Sequence, residues 1–362
     1  MIRLVELFAG IGAQATALEN LGIEHTGTIA EIDPSAVAMY EAIHGPTDNL
    51  GDITQVEHLP DCDLVTWSFP CQDLSVAGNR DGMVEGSGTR SSLGWEVIRL
   101  IRDAVERERP PRWLVMENVP MIVRDKGFKD MVAVLSDLGY RSSWSVLNAA
   151  DYGLPQSRQR CFMVSEYNGN IFDFPPGWEL PIRARDLLES DVDPYYHIEI
   201  EKIERMERHR IRQEDNGRGF GWNPISEDDI LNTVTTNPNR HASRNYLRIA
   251  GKLKGNYEKQ SRIYSSDLCI PTIDHRGGKG GHLNITDGEV VRVITEREAW
   301  RFMGFDDERI DRAFAVEPSR SKRYKAAGNS IAVPVLMEIF RKMFLDIPLT
   351  VQRSLDDWEV KA

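Results

Sequence analysis

Through about residue 165 the chain alternates short apolar runs with amphipathic segments, a pattern that few architectures can accommodate. Runs at 3–8, 26–30, 63–69 and 112–116 are too short for helices and close on glycine, proline or acidic residues, as buried strands do. Between the last two, Trp95, Ile98, Ile101, Ala104 and Val105 recur at helical spacing, with Arg99, Arg102, Glu106 and Arg107 on the other side. Strand and helix in alternation predict an α/β domain on a parallel sheet with crossover helices. After about residue 185 the texture changes to polar clusters, Asn237-Pro238 and the run Arg276-Gly277-Gly278-Lys279-Gly280-Gly281, which predict loops between short strands. Helical texture returns from Thr295 to Trp300. The expected division is therefore 1–184 as an α/β domain, 185–287 as a smaller irregular domain, and 288–362 as a segment returning to the first.

Several stretches bear chemistry. Leu7-Phe8-Ala9-Gly10-Ile11-Gly12-Ala13 reads as a strand-to-helix turn whose glycines let the backbone approach a ligand at a helix N-terminus. Glu31 closes the next strand, where a carboxylate meets ribose hydroxyls in this architecture, so the pair implies an adenosine-containing cofactor. Gly51-Asp52-Ile53 adds a strand-end carboxylate that suits S-adenosylmethionine as well as NAD. Ser68-Phe69-Pro70-Cys71-Gln72 presents a cysteine after the third run; with an ordinary pKa of roughly 8.5, such a thiol needs positively polarised surroundings to act as a nucleophile. Glu117 follows the apolar Val115-Met116, and Arg158 and Arg160 precede the apolar run Cys161–Val164 at a spacing that sets both on one strand face. Each has an ordinary reading: a tight turn, a helix cap, a solvated pair of arginines.

Composition narrows the classes. A net charge of -12 argues against a surface that is basic throughout, yet permits a local basic face. Cys62, Cys71, Cys161 and Cys269 are too scattered for a structural zinc site. No long uncharged apolar run spans a bilayer, and the expectation is a cytoplasmic protein.

In chain order, Phe8-Ala9-Gly10-Ile11-Gly12, Phe69-Pro70-Cys71-Gln72, Glu117-Asn118-Val119, Gln156-Ser157-Arg158-Gln159-Arg160 and Gly328-Asn329-Ser330 resemble the blocks of the DNA (cytosine-5)-methyltransferase family. They span nearly the whole chain outside about 185–285. Any one block is modest; their shared order is what makes coincidence remote. Ala13 and Ser68 stand where glycine is frequent in relatives, and neither departure removes a reacting group.

The resemblance implies a Rossmann-like S-adenosylmethionine-dependent methyltransferase fold with a smaller, irregular target-recognition domain. It further implies methyl transfer from S-adenosyl-L-methionine, leaving S-adenosyl-L-homocysteine, to carbon 5 of a cytosine within a specific double-stranded DNA sequence. Cys71 would attack carbon 6 of the flipped-out base, Glu117 would meet its ring nitrogen and amino group, Arg160 its carbonyl oxygen, and Arg158 would support the pocket. Carried over as cofactor contacts are Phe8, Gly10 and Gly12 at the methionine portion, Glu31 on the ribose, Ile32 and Ile53 flanking adenine and Asp52 on its amino group. Pro70, Leu93, Asn329 and Ser330 complete that cavity. DNA contacts would come from Gln72 and Ser75 after the cysteine and from Arg240, Arg244, Arg262, Thr272, Arg276 and Lys279. Double-stranded DNA is the expected partner, with a cognate restriction endonuclease as a candidate companion; one site per chain makes a monomer sufficient. Two other readings stand beside this one: a tRNA-methylating branch sharing the cysteine and acid blocks, and a catalytically silent DNA-binding module.

Overall fold

The computed structural model describes residues 1–69, 93–178, 182–196, 249–252, 262–265, 270–271, 284–286 and 291–345. The expected strands are present as β1 (Ile2–Leu7), β2 (His25–Ala30), β4 (Leu64–Trp67) and β5 (Trp113–Asn118), joined by the short β3 (Asp48–Asn49), β6 (Tyr140–Asn148) and β8 (Gln159–Tyr167). They form one seven-stranded sheet in the order β3-β2-β1-β4-β5-β8-β6. All neighbours from β3 to β5 run parallel, whereas β8 is antiparallel to both β5 and β6. The sheet is thus mixed, with a reversed strand near one edge.

Period-two alternation divides the core between the two faces of the sheet. Leu4 and Leu64 belong to one cluster with Trp300, Phe302 and Phe340; Val5, Leu7, Val65 and Trp67 belong to the other with Ile98, Ile101 and Phe128. The helix expected around Trp95 spans Leu93–Glu106 and buries Trp95, Ile98, Ile101 and Ala104 as its spacing predicted. Fully burying each such large apolar side chain contributes roughly 1.5–3 kcal/mol. On the first face, helix Ala13–Asn20 packs against helix Val333–Phe344, and helix Pro34–His44 packs against helix Asp307–Val316. Helices Asp307–Val316 and Val333–Phe344 thus cover this face of the sheet.

They are preceded by helix Glu296–Arg301, which opens with a capping box between Thr295 and Glu298. Glu298 Oε1 also accepts the Glu189 amide at 2.8 Å, which clips the outgoing 182–196 stretch to the returning one. Of the intervening region, β9 (Ile249–Lys252), β10 (Arg262–Ser265), β12 (Asn284–Thr286) and β13 (Val291–Val293) form a four-stranded sheet in the order β13-β12-β10-β9. β11 (Ile270–Pro271) pairs in parallel with β7 (Gln156–Ser157). No described helix is long and apolar enough to cross a membrane.

Candidate active site

Register places the chemistry-bearing residues along one edge of the sheet. Leu7 pairs with Ala30 and Trp67, and Trp67 with Met116. The next residues in each strand, Phe8, Glu31, Ser68 and Glu117, therefore emerge side by side at the carboxyl ends of parallel strands. Because β8 is antiparallel, with Cys161 opposite Asn118, it delivers Arg160 to that same edge from its amino end. β1 is also where the strand order reverses, with β2 on one side and β4 on the other, and open α/β sheets bind ligands at that crevice.

The glycine turn has the backbone its sequence requires. Phe8, Gly10 and Gly12 all have positive φ, at 58°, 58° and 78°. A Cβ on Gly10 would meet nothing within 4 Å, so the turn borders open space at the head of helix Ala13–Asn20. Glu31 ties this turn to the second strand: Oε2 accepts the Gly10 amide at 2.9 Å and Oε1 the Asp33 amide at 2.9 Å. Asn49, which carries no motif in the sequence, holds Glu31 in turn; its Oδ1 accepts from Glu31 N at 3.1 Å and from Gly51 N at 2.9 Å. Ile32 presents a bare apolar side chain, 72% exposed, beside this cluster. Ile53 is buried in the second core, and Asp52 caps the turn Ile53–Gln55 by accepting from Thr54 N at 2.9 Å. An open cradle, a polar clamp at Glu31 and an exposed aliphatic face fit an adenosine-bearing methyl donor.

At the other end of the edge, Glu117 is 7% exposed. Arg160 Nε lies 3.0 Å from Glu117 Oε1 as an ion pair without hydrogen-bond alignment, so Oε1 has no hydrogen-bond partner among the described residues. Burial pushes the Glu117 carboxyl up, and the charges of Arg160 and then Arg158 pull it back part of the way. Asn118, in the sequence no more than a member of its block, bonds the backbone on both sides: its Nδ2 donates to the Phe69 carbonyl at 3.1 Å and its Oδ1 accepts the Val119 amide at 2.8 Å. It thereby fixes the backbone immediately before the Pro70-Cys71 step.

The two arginines do not share a strand face as their spacing suggested. Arg158 sits in the break between β7 and β8, with its amide turned back to Gln156 O at 2.9 Å, so strand alternation does not run through it. Its buried guanidinium donates to Gly328 O at 3.1 Å and Ser330 O at 2.7 Å. Arg158 thus joins the fourth block to the fifth. Asn329 ends helix Arg320–Asn329 on an exposed position, Ser330 is buried beside it, and Leu93 opens helix Leu93–Glu106. Pro70, Cys71, Gln72, Ser75, Arg240, Arg244, Thr272, Arg276 and Lys279 lie outside the described residues, as does the side chain of Arg262. Ile270-Pro271, directly before Thr272, is carried next to Gln156-Ser157 by the β11–β7 pairing.

Comparison with known proteins agrees with this geometry. Residues 2–345 match the profile of the C-5 cytosine-specific DNA methylase family. The type II methyltransferase M2.ScrFI of Lactococcus lactis subsp. cremoris is 31% identical over 405 residues, covering 95% of this chain and 99% of that protein. The type II methyltransferase M.HhaI of Haemophilus parahaemolyticus is 32% identical over 351 residues, covering 93% of each. Among solved structures, the Entamoeba histolytica methyltransferase EhMeth superposes with a TM-score of 0.68 at 15% identity, over 96% of this chain and 98% of that one. A putative DNA modification methyltransferase encoded within an E. coli prophage gives 0.64 at 20% identity, over 95% and 99%. At those identities the structural likeness is one of fold. The family profile and the two relatives, spanning nearly the whole chain, show that this chain belongs to the C-5 cytosine-specific DNA methylase family and is a DNA (cytosine-5)-methyltransferase.

Proposed function

We propose that this enzyme transfers the methyl group of S-adenosylmethionine to carbon 5 of a cytosine in a specific double-stranded DNA sequence, with Cys71 as nucleophile. The observation that carries this reading is the buried Glu117 carboxyl beside Arg160, 3.0 Å away, at the sheet edge that also bears the Gly10 cradle and the lead-in to Cys71. A carboxyl that burial holds toward its neutral form can donate to the ring nitrogen of cytosine and accept from its amino group. Such a contact favours the electron distribution that attack at carbon 6 requires. Arg160, beside it, suits the base's carbonyl oxygen.

In this scheme the Cys71 thiolate bonds to carbon 6, and the displaced electron pair makes carbon 5 the nucleophile toward the donor's methyl carbon. The carbon 5 proton then leaves to a base, the sulfur–carbon 6 bond breaks, and the thiolate is restored. S-adenosylmethionine supplies an activated methyl group on a sulfonium sulfur. The Gly10–Gly12 turn would hold it, with Glu31 the residue suited to its ribose hydroxyls and Ile32 to its adenine. Because the target carbon lies inside the base stack, the cytosine must be extruded at a cost of a few kcal/mol. Residues 1–184 would form the catalytic domain, completed by 288–362, and 185–287 would read DNA through Arg240, Arg244, Arg262, Thr272, Arg276 and Lys279, with Gln72 and Ser75 contacting it from the cysteine segment.

The test is transfer of labelled methyl from S-adenosylmethionine to duplex DNA and, in parallel, to tRNA, with the product nucleoside identified by mass spectrometry. Label in 5-methyldeoxycytidine supports the proposal; label only in tRNA, or at another position of cytosine, overturns it.

A further inference from the structure

A polar chain, buried at Glu6, Tyr40 and His44 and half-buried at Glu19, runs beneath the glycine turn, and none of the roles above uses it. Glu6 of β1 is fully buried, and its Oε1 accepts the Tyr40 hydroxyl at 2.5 Å. The Tyr40 ring lies 4.7 Å from that of His44. His44 Nδ1 is 2.7 Å from Glu19 Oε1, and Glu19 Oε2 accepts from Arg309 Nη2 at 2.7 Å. Arg309, also bonded to Asp306, belongs to the returning C-terminal segment. Burial works to raise the Glu19 carboxyl, yet His44 and Arg309 hold it down to about 2, so it stays ionised and keeps both partners. Lys325 to Asp33 at 2.7 Å and Glu317 to Ser35 brace the same helix, Pro34–His44, from the same segment.

The chain ends against the turn itself. A Cβ on Gly12 would lie 2.4 Å from His44 Nε2 and 2.7 Å from Tyr40 Cε2, so the Gly12 backbone rests directly on these two rings. His44 Nε2 is buried there with no hydrogen-bond partner among the described residues. Glycines at φ 58° and 78° are free to adopt many other conformations unless something holds them. Each residue that a ligand must itself order weakens binding by roughly tenfold.

We propose that His44, held by Glu19 and Arg309, is a positioning residue for the Gly10–Gly12 turn, so that the C-terminal segment sets the affinity for the methyl donor. This rests on the reading of that turn as the donor site. Titration calorimetry of the full chain with S-adenosylmethionine should show Arg309→Met and His44→Ala weakening the donor by about fivefold to tenfold, with Arg309→Lys recovering most of the loss. In turnover, KM for the donor rises by the same factor while kcat holds within about twofold, the split expected when uniform binding is lost. In the unliganded protein, amide hydrogen exchange over residues 8–14 accelerates in Arg309→Met while that of helix Leu93–Glu106 does not. Unchanged affinity and exchange in a folded Arg309→Met variant would overturn the proposal, as would exchange that accelerates equally throughout. If the wild-type protein binds no S-adenosylmethionine, the donor-site reading fails, and the exchange comparison alone still decides whether Arg309 positions the turn.

Discussion

Replacing Arg160 with methionine keeps much of the unbranched stem and removes the charge that faces Glu117. The wild-type carboxyl is already raised by burial, and Arg160 is the larger of the two charges that oppose that rise. Without it, only the weaker pull of Arg158 opposes burial, so folding favours the protonated form of Glu117 more strongly. Keeping a glutamate of reference pKa near 4.3 protonated at pH 7 costs at most about 3.7 kcal/mol, at 1.36 kcal/mol per pH unit. The sign follows from the two folded values: both proteins lose stability alike until pH reaches the wild type's own raised value, and the variant's added deficit grows above that, toward its still higher folded value. Urea unfolding at pH 5 and pH 8 should therefore show the larger deficit at pH 8, with the difference bounded by the roughly 3.7 kcal/mol that holds at pH 7 and reduced by the share the wild type already bears. Adding Glu117→Gln should remove most of that pH dependence. An equal deficit at both pH values, untouched by the second substitution, would refute the assignment of Glu117–Arg160 as a coupled buried pair.

Other outcomes follow from the same structure. Burial pushes the Glu6 carboxyl up to about 7, so its stabilising contribution is present at low pH and lost as pH rises through that value; the stability of Glu6→Gln relative to wild type should climb by about 2–3 kcal/mol between pH 5 and pH 8. Gly12→Ala, with its Cβ 2.4 Å from His44 Nε2, should lower Tm sharply, whereas Gly10→Ala, facing open space, should cost only about 1 kcal/mol of stability and yet block donor binding in calorimetry. Burial pushes the Cys62 and Cys161 thiols up to about 12, so neither should be alkylated by iodoacetamide in the native protein at pH 8 until it unfolds, as peptide mapping would show.

The strands and the helix at 93–106 were legible because their information is local: a short apolar run between breakers, or a repeat at 3.6 residues. The glycine turn and Glu31 were legible as a pair because one crossover separates them, and the structure joins them through Gly10 and Glu31 Oε2. What the sequence could not disclose is long-range. The spacing of Arg158 does not disclose that its guanidinium will bond the carbonyls of Gly328 and Ser330. Ile270-Pro271 gives no hint that it will lie beside Gln156-Ser157. Likewise Glu19 and Arg309, 290 positions apart, form a tie that no periodicity encodes. Asn49 and Asn118 escaped for a different reason, since each acts by bonding backbone atoms of another loop, and a lone asparagine beside a strand carries no signature of that.

Catalysis as proposed turns on a covalent bond from Cys71 to the base. In duplex DNA whose cytosines are all replaced by 5-fluorocytosine, the carbon 5 position carries no proton to release, so a thiol adduct formed during methyl transfer cannot break down. With S-adenosylmethionine present, the expected product is a denaturation-resistant protein–DNA species whose peptide map carries the nucleotide on Cys71, and none with Cys71→Ser. The absence of such a species from an enzyme that methylates ordinary duplex DNA, or its persistence in Cys71→Ser, would contradict the covalent route.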